Sequence, residues 1–392
     1  MDTNGGGSTP KADDNSVESG KSHHDSSNNH HHQYFRTTAV NVTLLFVVVV
    51  LTCLVLINQS SNFPIQLFQR SYSSLPSGPE ESITGGKLSS PVFQENVTSE
   101  NLNFPVNDEK SLLEDTLRKA AMKDNKTVII TTLNAAWTEP KSIFDLFIES
   151  FKIGIGTEKL LKHVVVAALD RKAYSRCLQV PHLHCYALTI DEVDFSGEAF
   201  FMTEDYLKMM WRRIDFLRTV LEMGYNFVFT DADVMWLRDP FERFYPDGDF
   251  QIACDHYWSN YTDLNNSPNG GFNYVKSNDR TIRFYKFWYD RREYFPGKHD
   301  QDVLNLIKFD PFIQVIGLKI RFLDTAYFGG FCEPSKDLDL VITMHANCCI
   351  GLENKIHDIK MVIDDWKQYV SSSGGSEWNS SSNSWTIPRI CG

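Results

Sequence analysis

Two aspartates, Asp231 and Asp233, flank one alanine directly after the apolar run Phe227-Val228-Phe229 and Thr230, and Val234-Met235-Trp236-Leu237 returns the chain to apolar residues. Carboxylates fixed side by side at the end of a buried strand repel. At about 5 Å and an effective dielectric of about 20 the repulsion is about 3 kcal/mol. A divalent cation removes it and creates a site for phosphate oxygens. A capped strand end is the plainer alternative. The Asp-x-Asp pattern recurs at 247/249, 300/302 and 337/339. Asp247-Gly248-Asp249 follows Pro246 and reads as a turn, while Asp337 and Asp339 sit in a polar stretch and read as solvated surface. Only the pair at 231/233 lies between two apolar runs.

Other residues have types that would complete such a site. His345 follows the strand-like Leu340-Val341-Ile342-Thr343, and a neutral imidazole suits a manganese-type ion already held by two carboxylates. A histidine so placed is otherwise a satisfied core residue. Lys355, ten residues on, would act as a point charge on a diphosphate. Arg213 shares a helix face with Met209, Phe216, Leu217 and Val220, where an unpaired charge is costly. It reads either as an ion pair with Asp215 or Glu222, or as an anion contact. In Asn269-Gly270-Gly271-Phe272-Asn273 the glycines allow close approach of backbone to ligand, or a tight turn before a strand at 272–275. No Gly-Lys-Ser/Thr follows, which excludes a Walker-type phosphate loop. His299-Asp300-Gln301-Asp302 opens an apolar helix. N-capping accounts for one aspartate, and holding a substrate accounts for the rest.

These residues need a scaffold. After a helix at 111–123, strands and helices alternate: strand 127–133, helix 143–153, strand 163–169, strand 185–190, helix 206–223 stopped by Gly224, and strand 225–229. Apolar strands alternating with helices predict an α/β fold, a mostly parallel sheet with helices on both faces. Ligands in such folds gather at the carboxyl ends of strands. Asn134, Asp170 and Asp231 each follow a predicted strand directly.

The chain has 392 residues and a net charge of −12, and no basic stripe that would bind nucleic acid. Residues 1–38 are polar and include a histidine run, and read as a disordered cytosolic tail. Residues 39–57 are apolar and uncharged, about 28 Å long as a helix, and read as a membrane anchor. Residues 58–107 are a Ser/Pro-rich stem, 108–370 the catalytic body, and 371–392 a low-complexity tail. Lys21 and Arg36 before the anchor, against Arg70 after it, favour a body on the far side of the membrane. Asn-x-Ser/Thr sequons at Asn96, Asn125, Asn260, Asn265 and Asn379 agree. Of eight cysteines, Cys53 lies in the anchor, so at least one of the remaining seven is free or intermolecular. Cys177 and Cys185 bracket a segment that a disulfide would close.

Four blocks together resemble the plant nucleotide-diphospho-sugar transferases of glycosyltransferase family 77 over residues 110–366. They are Asp231-Ala232-Asp233 with Trp236-Leu237-Arg238-Asp239-Pro240, Asn269-Gly270-Gly271-Phe272, Asp300-Gln301-Asp302-Val303-Leu304-Asn305, and His345 with Gly351 and Lys355. The resemblance implies a GT-A (Rossmann-like) fold, a UDP-sugar donor, Mn²⁺ or Mg²⁺, retention of configuration, and a Golgi membrane location. It also implies a cell-wall polysaccharide or glycoprotein acceptor. Asp231, Asp233 and His345 would then hold the metal. Thr132, Asn134, Arg213, Asp231 and Lys355 would border the nucleotide diphosphate. Asn269, Gly270, Gly271 and Asp302 would meet the donor sugar, with Asp300 and Gln301 near the anomeric carbon. The family's last block usually reads His-x-x-Gly-x-x-Lys; here Cys348-Cys349 lengthens it. The competing expectation is a catalytically silent fold that binds glycans or scaffolds another transferase. A two-metal phosphohydrolase would need further His and Asp ligands that the chain does not supply.

Overall fold

A computed structural model of the chain describes residues 106–188, 202–372 and 385–391. The tail, the anchor, nearly all of the stem, and the sequons at Asn96 and Asn379 lie outside them. Among the described residues no helix is long and apolar enough to cross a membrane.

Helix α1 (Val106–Ala120) leads into β1 (Thr127–Leu133), helix α2 (Ile143–Ile153), β2 (Val164–Ala168), α3 (Arg171–Leu178) and β3 (His184–Ala187). Next come α4 (Glu204–Glu222), β4 (Asn226–Thr230), β5 (Val234–Trp236), β6 (Phe250–His256) and β7 (Ser267–Val275). Helices α5 (Asp279–Asp290), α6 (Asp300–Ile307) and α7 (Pro311–Val315) precede β8 (Ile320–Phe322), β9 (Phe328–Gly330), β10 (Thr343–His345) and α8 (Leu352–Ser372).

Seven strands form one sheet in the order β3-β2-β1-β4-β7-β6-β8, and β5-β10-β9 form a second, small one. Only β7 runs against its neighbours in the large sheet. The fold is therefore mixed α/β with a mostly parallel sheet, as the alternation predicts. Side chains on the strands alternate between two cores. Ile129, Val164, Val166 and Val228 pack with α2 and α8, whereas Val128, Ile130, Val165, Phe227 and Phe229 pack with α1, α4 and α5. Strands buried on both faces have to be apolar throughout, which is why β2 reads Val-Val-Val-Ala-Ala.

Several expectations shift. The glycine block is no turn: Asn269, Gly270 and Gly271 lie inside β7, and Phe272 pairs with Thr230 of β4. The strand expected at 340–343 is instead Thr343–His345. The turn read at Asp247-Gly248-Asp249 is present, with Gly248 N–H donating to Tyr245 O at 3.1 Å, and it also buries Asp249, whose carboxylate binds Arg280 at 2.6 and 2.8 Å. The C-terminal tail is partly built. Residues 371–372 finish α8, and the amides of Arg389, Ile390 and Cys391 donate to Asp358 at 2.8, 3.1 and 3.0 Å. Serine-rich composition hid this because the anchoring groups are backbone amides.

Cys177 pairs with Cys185 as expected, and Cys332–Cys348 and Cys349–Cys391 join the other four, leaving Cys254 buried and free. The adjacent Cys348 and Cys349 thus bond to opposite sides of the segment between His345 and Lys355.

Candidate metal and nucleotide-sugar site

Strand β4 ends at Thr230 and delivers Asp231 and Asp233 at its carboxyl edge. The turn between them is held by Asp231 N–H donating to Gly271 O at 2.7 Å and by Trp236 Nε1–H donating to Thr230 Oγ1 at 3.2 Å. Strand β10 brings in the third residue. Its antiparallel register on β5 sets His345 opposite Val234, and Ala346 N–H donates to Asp233 O at 3.0 Å. One ligand atom from each of Asp231, Asp233 and His345 lies within 4.8 Å of the others, the one such grouping among the described residues.

The polar contacts fit a cation between them. Lys355 Nζ takes Asp233 Oδ2 at 2.5 Å, and Arg213 Nη1 takes Asp231 Oδ1 at 3.0 Å. Asp233 Oδ1 is buried and accepts no hydrogen bond, although His345 Nε2 lies 3.2 Å away. A buried carboxylate oxygen without a donor is costly, and a metal ion is the partner that a flanking aspartate and imidazole would share. Gly271 makes room for this arrangement. A Cβ there would stand 2.4 Å from His345 Cε1 and 2.7 Å from Asp231 Oδ2. Burial alone would raise Asp233, but Lys355 and His345 hold its carboxyl well below the usual range. Burial raises Asp231, assisted by the charge on Asp233, with Arg213 opposing. The two carboxylates are thus driven apart in basicity.

Arg213 is buried on α4, its guanidinium 4.8 Å over the Phe229 ring, and it bridges Asp231 to Asp300. Neither Asp215 nor Glu222 pairs with it; both bind Arg218 instead. The register of a single helix does not reveal which strand end lies beneath it. Asp300 and Gln301 occupy the first turn of α6, capped by His299, whose Nδ1 accepts from Asp302 N–H at 3.0 Å. Gln301 is fixed at both ends: Oε1 accepts from Gly270 N–H at 3.0 Å, and Nε2 donates to Asp255 at 2.9 Å.

Asp255 is the residue that sequence reasoning missed. It stands near the carboxyl end of β6 and also accepts from Asn269 and Asn347, each at 2.8 Å. Its only signal was an acid ending an apolar strand, Ile252-Ala253-Cys254-Asp255. Tyr206 was missed as well. Burial and the Asp300 charge push its phenol up, so it stays protonated beside these carboxylates. Arg213 thus pairs with Asp231 and Asp300, and Lys355 with Asp233.

Lys355, displaced in sequence by the inserted cysteines, arrives on the first turn of α8, 5.7 Å from the Trp137 ring centre. Trp137 closes the short turn that Asn134 begins after β1, so that strand end borders the same centre. Thr132 is half-buried in β1 opposite Ala167. Among the described residues no hydrogen bond or ion pair joins Thr132 or the Asp302 carboxylate to the aspartate pair. Asp170 serves the scaffold, accepting from Ala135 N–H at 2.6 Å and capping α3.

Residues 159–359 match the family model described as nucleotide-diphospho-sugar transferase. The Uncharacterized protein At4g15970 of Arabidopsis thaliana is 55% identical over 275 residues, covering 70% of this chain and 72% of that protein. The Uncharacterized protein At1g28695 of the same plant is 42% identical over 299 residues, covering 73% of this chain and 88% of that protein. UDP-D-xylose:L-fucose alpha-1,3-D-xylosyltransferase 3, also from Arabidopsis thaliana, is 26% identical over 118 residues, 30% of this chain and 29% of that protein. With the family model spanning all four blocks of the site from Asp231 to Lys355, the chain belongs to the nucleotide-diphospho-sugar transferase family and is a glycosyltransferase.

Proposed function

We propose that the chain is a retaining GT-A transferase of the Golgi lumen. It moves a sugar from a UDP-sugar to a glycan on a cell-wall polysaccharide or glycoprotein, and it uses Mn²⁺ or Mg²⁺. The observation that carries the reading is the buried, donor-less Asp233 Oδ1 between Asp231 and His345, with Lys355 alongside. A divalent ion held there would supply a Lewis acid for the diphosphate of the leaving group.

The chain's own groups do the rest. Lys355 adds a mobile positive charge beside the phosphates. Arg213 bridges Asp231 and Asp300 and holds both in place. Gln301 is locked between Gly270 and Asp255, so its carboxamide orientation is set before substrate arrives, as preorganisation requires. The galactosyl and xylosyl donors in the names of distant relatives make UDP-galactose and UDP-xylose the first to try, with UDP-arabinose beside them. A silent scaffold would have no use for a buried carboxylate oxygen left open between an aspartate and an imidazole.

The test is manganese-stimulated hydrolysis of those three donors by the purified chain and its Asp233→Ala variant. Loss of turnover and of metal-dependent UDP binding in a folded variant is expected. Unchanged manganese-stimulated turnover overturns the assignment.

A further inference from the structure

The loop between β6 and β7 carries an exposed aromatic that the transferase site leaves unexplained. Trp258 is 62% exposed. Among the described residues its ring meets no aromatic partner. The loop around it is firmly built. Trp258 N–H donates to the fully buried Asn266 Oδ1 at 2.6 Å, and Asn266 Nδ2 donates to Asn260 O at 2.7 Å and Asp263 O at 2.8 Å. The Lys308 ammonium donates to Asn266 O at 2.6 Å, and Tyr261 stacks on Tyr245 at 4.4 Å. The loop is thus held by its own hydrogen bonds while the Trp258 indole faces solvent.

The sequence here is Trp258-Ser259-Asn260-Tyr261-Thr262, an Asn-x-Thr sequon with an indole two residues before the asparagine. Asn260 Oδ1 accepts from Thr262 N–H at 2.9 Å and from its hydroxyl at 2.8 Å, an Asx-turn that leaves the amide nitrogen pointing elsewhere. Asn260, Tyr261 and Thr262 are all exposed. Ser259 sits at φ +65°, folding the chain between Trp258 and Asn260. Two residues span at most about 7 Å, within reach of a pyranose on Asn260. The other described sequons are less open: Thr127 is buried in β1, and Asn265 donates its Nδ2 to Asp263 Oδ1 at 2.9 Å beside buried Asn266.

We propose that Asn260 carries an N-linked glycan whose first sugar stacks on Trp258; this rests on the lumenal reading above. A lipid diphosphate-linked oligosaccharide is the co-substrate. Its C1–O bond to phosphate breaks, a C1–Nδ2 bond forms, and the amide proton leaves with the lipid diphosphate. The glycan would cover the indole and mark the loop next to Asp255 as a face closed to other proteins.

The full chain is expressed in plant cells with an Asn-Gly-Thr tripeptide appended after Gly392, and glycopeptides are read by mass spectrometry. Occupied Asn260, lost in both Asn260→Gln and Thr262→Ala, is expected. An occupied tag with bare Asn260 overturns the proposal and leaves the lumenal reading standing. A bare tag and bare Asn260 overturn both. Enzymatic removal of the glycan should lower the melting temperature of the native chain but not of Trp258→Ala. Equal losses in the two overturn the stacking.

Discussion

Gly271→Ala is the smallest change that reaches the centre. The backbone there is ordinary extended strand, so the effect is purely one of space. The new methyl would stand 2.4 Å from His345 Cε1, 2.7 Å from Asp231 Oδ2 and 3.0 Å from Asn269 Oδ1. Carbon contacts settle near 3.5–4.0 Å, so the imidazole must retreat by about 1 Å. Metal–ligand distances tolerate about 0.2 Å. Overpacking of this size costs about 1–3 kcal/mol of stability, which a domain of this size survives. Displacing groups that set metal ligands weakens metal binding about 10–100-fold. Gly270→Ala is the control, since its nearest neighbour would be Arg213 Nη2 at 3.4 Å and the others lie at 3.7 Å or beyond. Free Mn²⁺ measured by electron paramagnetic resonance, beside thermal melts, reads both quantities. Equal manganese affinity in Gly271→Ala and Gly270→Ala would refute the reasoning that this glycine makes room for a metal.

Three further outcomes follow from particular contacts. Arg213→Met leaves the buried Asp300 and the partly buried Asp231 without their shared cation. A loss of about 3–5 kcal/mol in denaturant unfolding is expected, and a loss below 1 kcal/mol would show that water replaces the guanidinium. Cys391→Ser opens a loop with a sequence separation of 42. The chain-entropy relation gives a destabilisation of about 4 kcal/mol, checked by urea unfolding, and unchanged stability refutes it. For Asp358, burial alone would raise the carboxyl, but the amide of Cys391, His357, and the amides of Arg389 and Ile390 hold it below its ordinary 3.8. The unfolded chain therefore takes up the proton first as pH falls. The stabilisation is complete above about pH 4 and disappears as pH drops through the lower folded value. Hydrogen exchange at residues 389–391 should accelerate over that interval, and flat protection down to pH 2 argues against the anchor.

The parts of this molecule legible in sequence are those governed by local pattern. β2 and β4 are apolar because both faces are covered, and their ends located Asp170 and Asp231. The blocks of the candidate site are legible as clusters of unlike polar groups beside apolar runs. Long-range geometry is not. For Gly270-Gly271 the sequence leaves open close approach of backbone to ligand or a tight turn, since glycine pairs serve both; here Gly271 is required by the Asp231 and His345 side chains. For Arg213 the sequence offers an ion pair with Asp215 or Glu222 or an anion contact, because spacing reveals i±4 contacts and not the strand beneath. Asp255 stayed unnoticed because its role is to receive Asn269, Gln301 and Asn347, residues 14, 46 and 92 positions away.

The opposed bonds of Cys348 and Cys349 bear on when this enzyme becomes active. His345 lies just before the pair and Lys355 just after it, and Cys332 and Cys391 tether the segment from either side. His345 and Lys355 thus share one oxidation-dependent clasp. A newly made chain still under reducing conditions would carry every site residue yet lack the clasp that fixes two of them, so activity would report completed oxidative maturation. Gentle reduction at constant pH should then release manganese before the sheet unfolds by circular dichroism, whereas simultaneous loss of both would tie the disulfides to the fold alone.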